Sequence, residues 1–269
     1  MSKNTHAIEM GFQQALRLHR AGRLAEAEQF YRQILAAAPN HADSLHMLGV
    51  LALQSGRPAE ALPYLEQAIA RQPRMAIYRV NRANALRASG NPAAAVAECK
   101  EALRLKRNSA EACQALGLAL SDLGQHEDAV AAYREALRHG PNLPDLHNNL
   151  GLALREAGHL EAAAEALRRA VANAPRDGYG RGNLAGVLKE LGRLDEAEAL
   201  HRDALRQQPD DPMHHYGLGL CLLLAGRLAE GWPEYEWRFR AGALHMPASS
   251  RPLWQGEPLA GRTLLIRLE

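Results

Sequence analysis

Apolar residues recur along the chain at steps of three and four. Leu45, Leu48 and Ala52, then Leu116, Leu120 and Leu123, each trace one face of a helix. Glycine interrupts these runs at a fixed distance: Gly22, Gly56, Gly90, Gly124, Gly158, Gly192 and Gly226 stand 34 residues apart. Pro39, Pro73, Pro141, Pro175 and Pro209 keep that period, with Arg107 where a third proline is due. Ala27, Ala61, Ala95, Ala129, Ala163 and Ala197 keep it too. Each unit is therefore predicted to hold two helices. Glycine closes the first in a left-handed conformation. Proline stops the second, because it lacks an amide proton and clashes with the preceding turn. Asn91-Pro92 and Asp211-Pro212 place a capping side chain before a first-turn proline. Gly49, Gly117, Gly151 and Gly219, facing Ala61 or Ala129, let paired helices approach closely. Without its proline, the helix before Arg107 is expected to run on, although Asn108-Ser109 can still cap the next one.

The unit Ala110–Pro141 carries Leu116-Gly117, Gly124, Ala129, Tyr133, Ala136 and Pro141, and in this it resembles a tetratricopeptide repeat. Seven such units, starting near Ile8, Ala42, Ala76, Ala110, Pro144, Gly178 and Pro212, span residues 8–245. The first is degenerate, with Gly11 and Gln14 where a bulky residue and a leucine are usual, as suits an end unit with a more polar outer face. The resemblance implies an all-α fold: a right-handed superhelix, an α-solenoid whose first helices line a concave groove, followed by a non-repeat C-terminal tail.

In such arrays the ridge residues are used in packing, so function is expected in the groove. The sixth residues of the units are Gln13, Met47, Asn81, Ala115, Asn149, Asn183 and Gly217, and Asn84 and Asn148 lie close by. An asparagine amide both donates and accepts, so a row of them can bond the main chain of an extended peptide without reading its sequence. The row, and His147-Asn148-Asn149-Leu150-Gly151 in particular, is similar to the asparagine ladder of O-GlcNAc transferase repeats. The plainer alternative is that asparagine is simply tolerated on an exposed helix face. The carboxylate clamp of chaperone-binding repeats needs Lys and Asn at set places, and Val80 with Asn84, Ala115, and Asp145 with Asn149 do not supply it.

Composition narrows the function classes. Thirty-two Lys+Arg balance 30 Asp+Glu, so no field of one sign is available to hold nucleic acid or an anionic membrane. No apolar run approaches the ~20 residues that span a bilayer, and the first 20 residues lack a signal-peptide core. Three cysteines, Cys99, Cys113 and Cys221, do not make a disulfide framework and occupy apolar repeat places. A cytoplasmic location is the expectation. Gly178-Tyr179-Gly180-Arg181-Gly182 hints at a phosphate loop, but it opens a repeat helix instead of following a strand. His214 and His215 are adjacent and so point to different faces, and no histidine set stands at a metal-ligand spacing. No catalytic residue, cofactor or metal is expected in this chain.

The tail departs from the pattern. All three tryptophans, Trp232, Trp237 and Trp254, lie there, and Pro233 falls within the first turns of the last helix. Residues 246–269 read as a proline-rich linker (Pro247, Pro252, Pro258) and one strand, Thr263-Leu264-Leu265-Ile266. A single strand cannot satisfy its own edges, so it is expected to begin a further domain. Gly231-Trp232-Pro233-Glu234-Tyr235-Glu236-Trp237-Arg238, followed by Trp254-Gln255-Gly256-Glu257-Pro258-Leu259-Ala260-Gly261, resembles the junction in bacterial proteins that carry these repeats ahead of a glycosyltransferase-like domain. The expectation is a protein- or peptide-binding scaffold, the recognition arm of a larger glycosyltransferase-like protein. The alternative is a structural homodimer module with no peptide ligand.

Overall fold

Helix, glycine turn, helix, extended break: this order repeats through the computed structural model, which describes residues 3–143 and 145–242. The described residues form 14 α-helices and a short 3-10 turn, with no strand among them. The chain divides into two bodies, Met1–Leu200 and His201–Glu269. The first holds α1 (Lys3–Arg20), α2 (Leu24–Ala37), α3 (Ala42–Gln54), α4 (Pro58–Arg71), α5 (Ala76–Ala88) and α6 (Pro92–Leu105). It continues with α7 (Ala110–Asp122), α8 (His126–His139), α9 (Leu146–Glu156), α10 (Leu160–Asn173) and α11 (Gly178–Glu190). The division falls within α12 (Leu194–Gln207); the second body holds α13 (Pro212–Leu224), α14 (Leu228–Tyr235) and η1 (Glu236–Phe239). The tail 246–269, with its expected linker and strand, lies outside the described residues.

The glycine turns are as the spacing predicts. All seven take positive φ, from 70° at Gly56 to 84° at Gly158, a region that costs other residues strain. Asn91, Ser109, Asp177 and Asp211 cap the helices that follow them with a side-chain oxygen, and His41 caps its own through Nδ1. The expectation at Arg107 fails: α6 ends at Leu105, in step with the other second helices. Lys106 has φ −139° and ψ 91°, close to the φ −142° and ψ 82° of Ala38 before Pro39. The break therefore does not need proline. Lys106 N still donates to Ala102 O, Ser109 caps α7, and α6 packs against α7, which fixes where the chain must turn.

Two helix starts also differ from the spacing. α1 begins at Lys3 rather than near Ile8, because no glycine or proline interrupts residues 3–10. α9 begins at Leu146, two residues after the predicted Pro144. Leu143, at the capping place, offers no side-chain acceptor. The helix starts instead behind Asp145, which has a left-handed φ of 58° and makes no side-chain cap. A short polar side chain tolerates that conformation better than most.

Packing within each unit matches one size to another. A methyl group on Gly117 of α7 would stand 2.6 Å from the Tyr133 ring on α8. Gly49 of α3 stands against Leu65 in the same way, whereas in α5 the residue is Ala83 and the facing residue shrinks to Cys99. Tyr31, Tyr78 and Tyr133 are fully buried. In the second body α13 packs on α14 and η1, with His215 stacked on Trp237 at 4.1 Å between ring centres. Pro233 sits inside α14.

Candidate functional site

In the first body α3 approaches α5, α5 approaches α7, α7 approaches α9 and α9 approaches α11. Successive second helices make no comparable approach among the described residues. The first helices therefore form the inner, closely spaced side of this body. Polar side chains bridge them in rungs, each joining a residue to one 35 positions on. The rungs fall at three levels. Near the helix starts Tyr78 OH donates to Asp43 Oδ1 at 2.5 Å. One turn further, Asn81 Nδ2 meets His46 Nε2 at 2.6 Å, and Asn183 Nδ2 donates to Asn148 Oδ1 at 2.8 Å. Near the helix ends His19 meets Gln54 at 2.7 Å, Arg87 pairs with Asp122 at 3.2 Å, and Arg155 Nε donates to Glu190 at 2.8 Å.

The protonation of the His46 rung follows from its surroundings. His46 is buried and stacked on Tyr78 at 4.5 Å. Burial pushes its pKa down to about 4, against a smaller opposing pull from Asp43, so the ring is neutral near pH 7. Its Nε2 then accepts from the Asn81 amide, and Nδ1 carries the proton. Burial, with Asp43 alongside, pushes the Tyr78 hydroxyl well above its ordinary pKa, so it remains a donor to Asp43.

The five asparagines singled out in the sequence divide into two sets. Asn81, Asn148 and Asn183 are half-buried rung members. Asn84 and Asn149 are half-buried and make no side-chain hydrogen bond to a described residue. Their fellows at the sixth place differ: Ala115 is buried, and Met47 packs against the core around Leu48 and Leu51. The amides are thus not a uniform exposed row, and the rung members already spend part of their bonding capacity on the neighbouring unit. In the observed orientation Asn81 keeps its Oδ1, Asn148 its NH2 and Asn183 its Oδ1 for another partner. His46, Asp43 and Tyr78 did not stand out in the sequence. Their signal was present as polar pairs one period plus one residue apart.

Other candidate chemistry is placed as follows. Asp177 caps α11, accepting from Tyr179 N at 3.0 Å and Gly180 N at 3.2 Å, so the chain's own carboxylate occupies the start of the glycine-rich helix. Burial raises the Cys99 thiol to about 12, which makes it a poor nucleophile. His214 meets His201 at 3.1 Å, whereas His215 bonds Glu234 at 2.5 Å on another face. Among the described residues no group of His, Cys, Asp and Glu could hold a metal ion, and no helix is long and apolar enough to cross a membrane.

Three models of the tetratricopeptide repeat match the chain, one at residues 46–110 and 115–178, the others at 12–74 and 154–221. No curated protein matches it in sequence. Among solved structures, PilW, a type IV pilus biogenesis factor, has a TM-score of 0.72 at 17% identity, over 77% of this chain and 96% of its own. Pseudomonas aeruginosa PilF has a TM-score of 0.68 at 18% identity, over 79% of this chain and 97% of its own. YrrB, described as having an unusual peptide-binding site, has a TM-score of 0.57 at 24% identity, over 67% of this chain and 93% of its own. At these identities the likeness concerns the fold.

Proposed function

The chain belongs to the tetratricopeptide-repeat family, and on that premise we propose that it is a scaffold that holds an extended peptide on the inner face of its first helices. The observation that carries this reading is the pair of amide rungs, His46–Asn81 and Asn148–Asn183. Each leaves an amide donor or acceptor unused on the inner side, while the rung itself fixes the side chain. A fixed amide loses less freedom when a ligand arrives, which favours affinity. Asn84 and Asn149, with no protein partner among the described residues, extend the set. The ligand's main chain is the target because amides complement peptide N–H and C=O groups whatever the ligand's sequence. The peptide-binding site of YrrB, on a similar fold, is in keeping with such a role. The aromatic and proline motifs of the tail, from Trp232 to Gly261, support placing the groove in a larger glycosyltransferase-like protein as its partner-recognition arm.

The test is titration of a random-sequence library of extended peptides against the wild type and the triple variant Asn81→Ala, Asn149→Ala, Asn183→Ala. Each lost amide should weaken binding by about 0.5–1.5 kcal/mol. Equal affinity for both proteins removes the reading.

A further inference from the structure

The irregular start of α9 opens a cleft of about 420 Å³ beside the Asn148–Asn183 rung. Pro141, Asn142, Leu143, Asp145 and the first turn of α9 line one side, and the end of α10 lines the other, together with Asp177. The size is within the range of ligand pockets. Asn148 belongs to both the rung and the cleft wall, so the cleft is continuous with the inner face.

We propose that this cleft receives the cationic side chain, lysine or arginine, of a peptide held on the inner face. Its charge is one-sided: the lining contains Asp145 and Asp177 and no Lys or Arg. Asp145 is exposed and makes no side-chain cap to the helix it precedes, so its carboxylate is not engaged by α9. Asp177 accepts one backbone N–H on each oxygen and keeps further lone pairs. Ala170, Asn173 and Ala174 bring the carboxyl-terminal end of α10 to the wall, the end of a helix that favours positive charge. The uncapped start of α9 acts in the opposite sense, but its half-charge opposes two full carboxylates. Desolvation, with Arg169 nearby, lowers the His147 pKa and so disfavours a positive charge on that ring. Asn142 and Asn173 offer amide oxygens to the cationic guest.

That the guest belongs to a peptide rests on the groove reading above; the preference for a cation does not, and it is tested without any peptide. The probes are n-butylammonium and, separately, butyrate, added to the full chain at matched ionic strength and followed by amide 1H–15N chemical shifts. Butylammonium should shift Leu146, His147, Asn173 and Ala174 saturably, and butyrate should not. Asp145→Asn, which keeps a residue that tolerates the left-handed φ, should weaken butylammonium about two- to fivefold. Glu66→Gln, on exposed α4 surface outside the cleft, should change nothing. Stronger shifts with butyrate, no shifts with butylammonium, or an unchanged affinity in Asp145→Asn would each overturn the proposal. A cleft that binds butylammonium in a chain that holds no library peptide would keep this inference and remove the groove reading.

Discussion

Replacing Arg107 with proline tests whether the breaks between units are set by stacking or by proline. Arg107 occupies the place of Pro39, Pro73, Pro141, Pro175 and Pro209. A new proline needs an extended preceding residue, a dispensable N–H and a side chain that can be lost. Lys106 is already extended at φ −139° and ψ 91°. Arg107 N makes no backbone hydrogen bond outside the helices, and its side chain is exposed. Nothing in the folded state is given up, so the effect comes from the unfolded chain, which proline restricts. The expected gain is about 0.4–1 kcal/mol. For a chain of this size that raises the melting temperature by about 1–4 °C. Thermal and urea melts followed by far-UV circular dichroism give the comparison, with the reverse change Pro73→Arg expected to lose a similar amount. A loss above about 1 kcal/mol in Arg107→Pro would refute the reasoning, because it would require a native conformation at 106–107 that excludes proline.

Further outcomes follow from packing and burial. Gly117→Ala should destabilise by about 1–3 kcal/mol, because the added methyl meets the Tyr133 ring. Gly186→Ala, where the methyl meets nothing within 4 Å, should stabilise α11 by up to about 1 kcal/mol in the same melts. His46 has its folded pKa depressed to about 4, so the unfolded state binds its proton first as the pH falls. Its contribution should be intact above about pH 6.5 and lost progressively towards pH 4. The difference between wild type and His46→Gln denaturation midpoints should then shrink over that interval by on the order of 3 kcal/mol; a pH-independent difference would contradict the neutral buried ring. Cys99 should stay unreactive towards a thiol-specific disulfide reagent until the chain unfolds, and fast labelling of the native protein would show that its burial is wrong.

Most of the fold was legible in the sequence because its punctuation is chemical. A glycine that must take positive φ leaves a mark at one place in every unit, and an Asn or Asp that caps marks some of the helix starts. Gly90 and Gly226 are such glycines, and Asn91 and Asp211 are such caps. The end of α6 was not legible, because there the break is enforced by packing against α7 and Arg107 only occupies the turn. The start of α9 lies two residues past the position the period gives: periodicity counts positions, whereas the chain here enters the helix through the left-handed Asp145. For the site, the sequence singled out Asn81 without its partner His46, and Asn148 and Asn183 without the bond between them. A rung forms between helices displaced by one residue, so His46 belongs with Asn81, and Asn148 with Asn183, at a spacing of 35, which no single-helix pattern displays. His46 was the harder case, since its neutrality comes from burial and from stacking on Tyr78.

The central claim is that inner-face amides hold a peptide by its main chain, and the most direct measurement alters that main chain alone. The tightest library peptide, a scrambled version of it and a version N-methylated at alternate residues can be titrated against the wild type by calorimetry. The claim predicts that scrambling largely preserves affinity, apart from the position of any lysine or arginine. N-methylation should weaken binding by about 0.5–1.5 kcal/mol for each main-chain hydrogen bond removed. Methylated peptide binding as tightly as the parent, with affinity lost on scrambling, would contradict it.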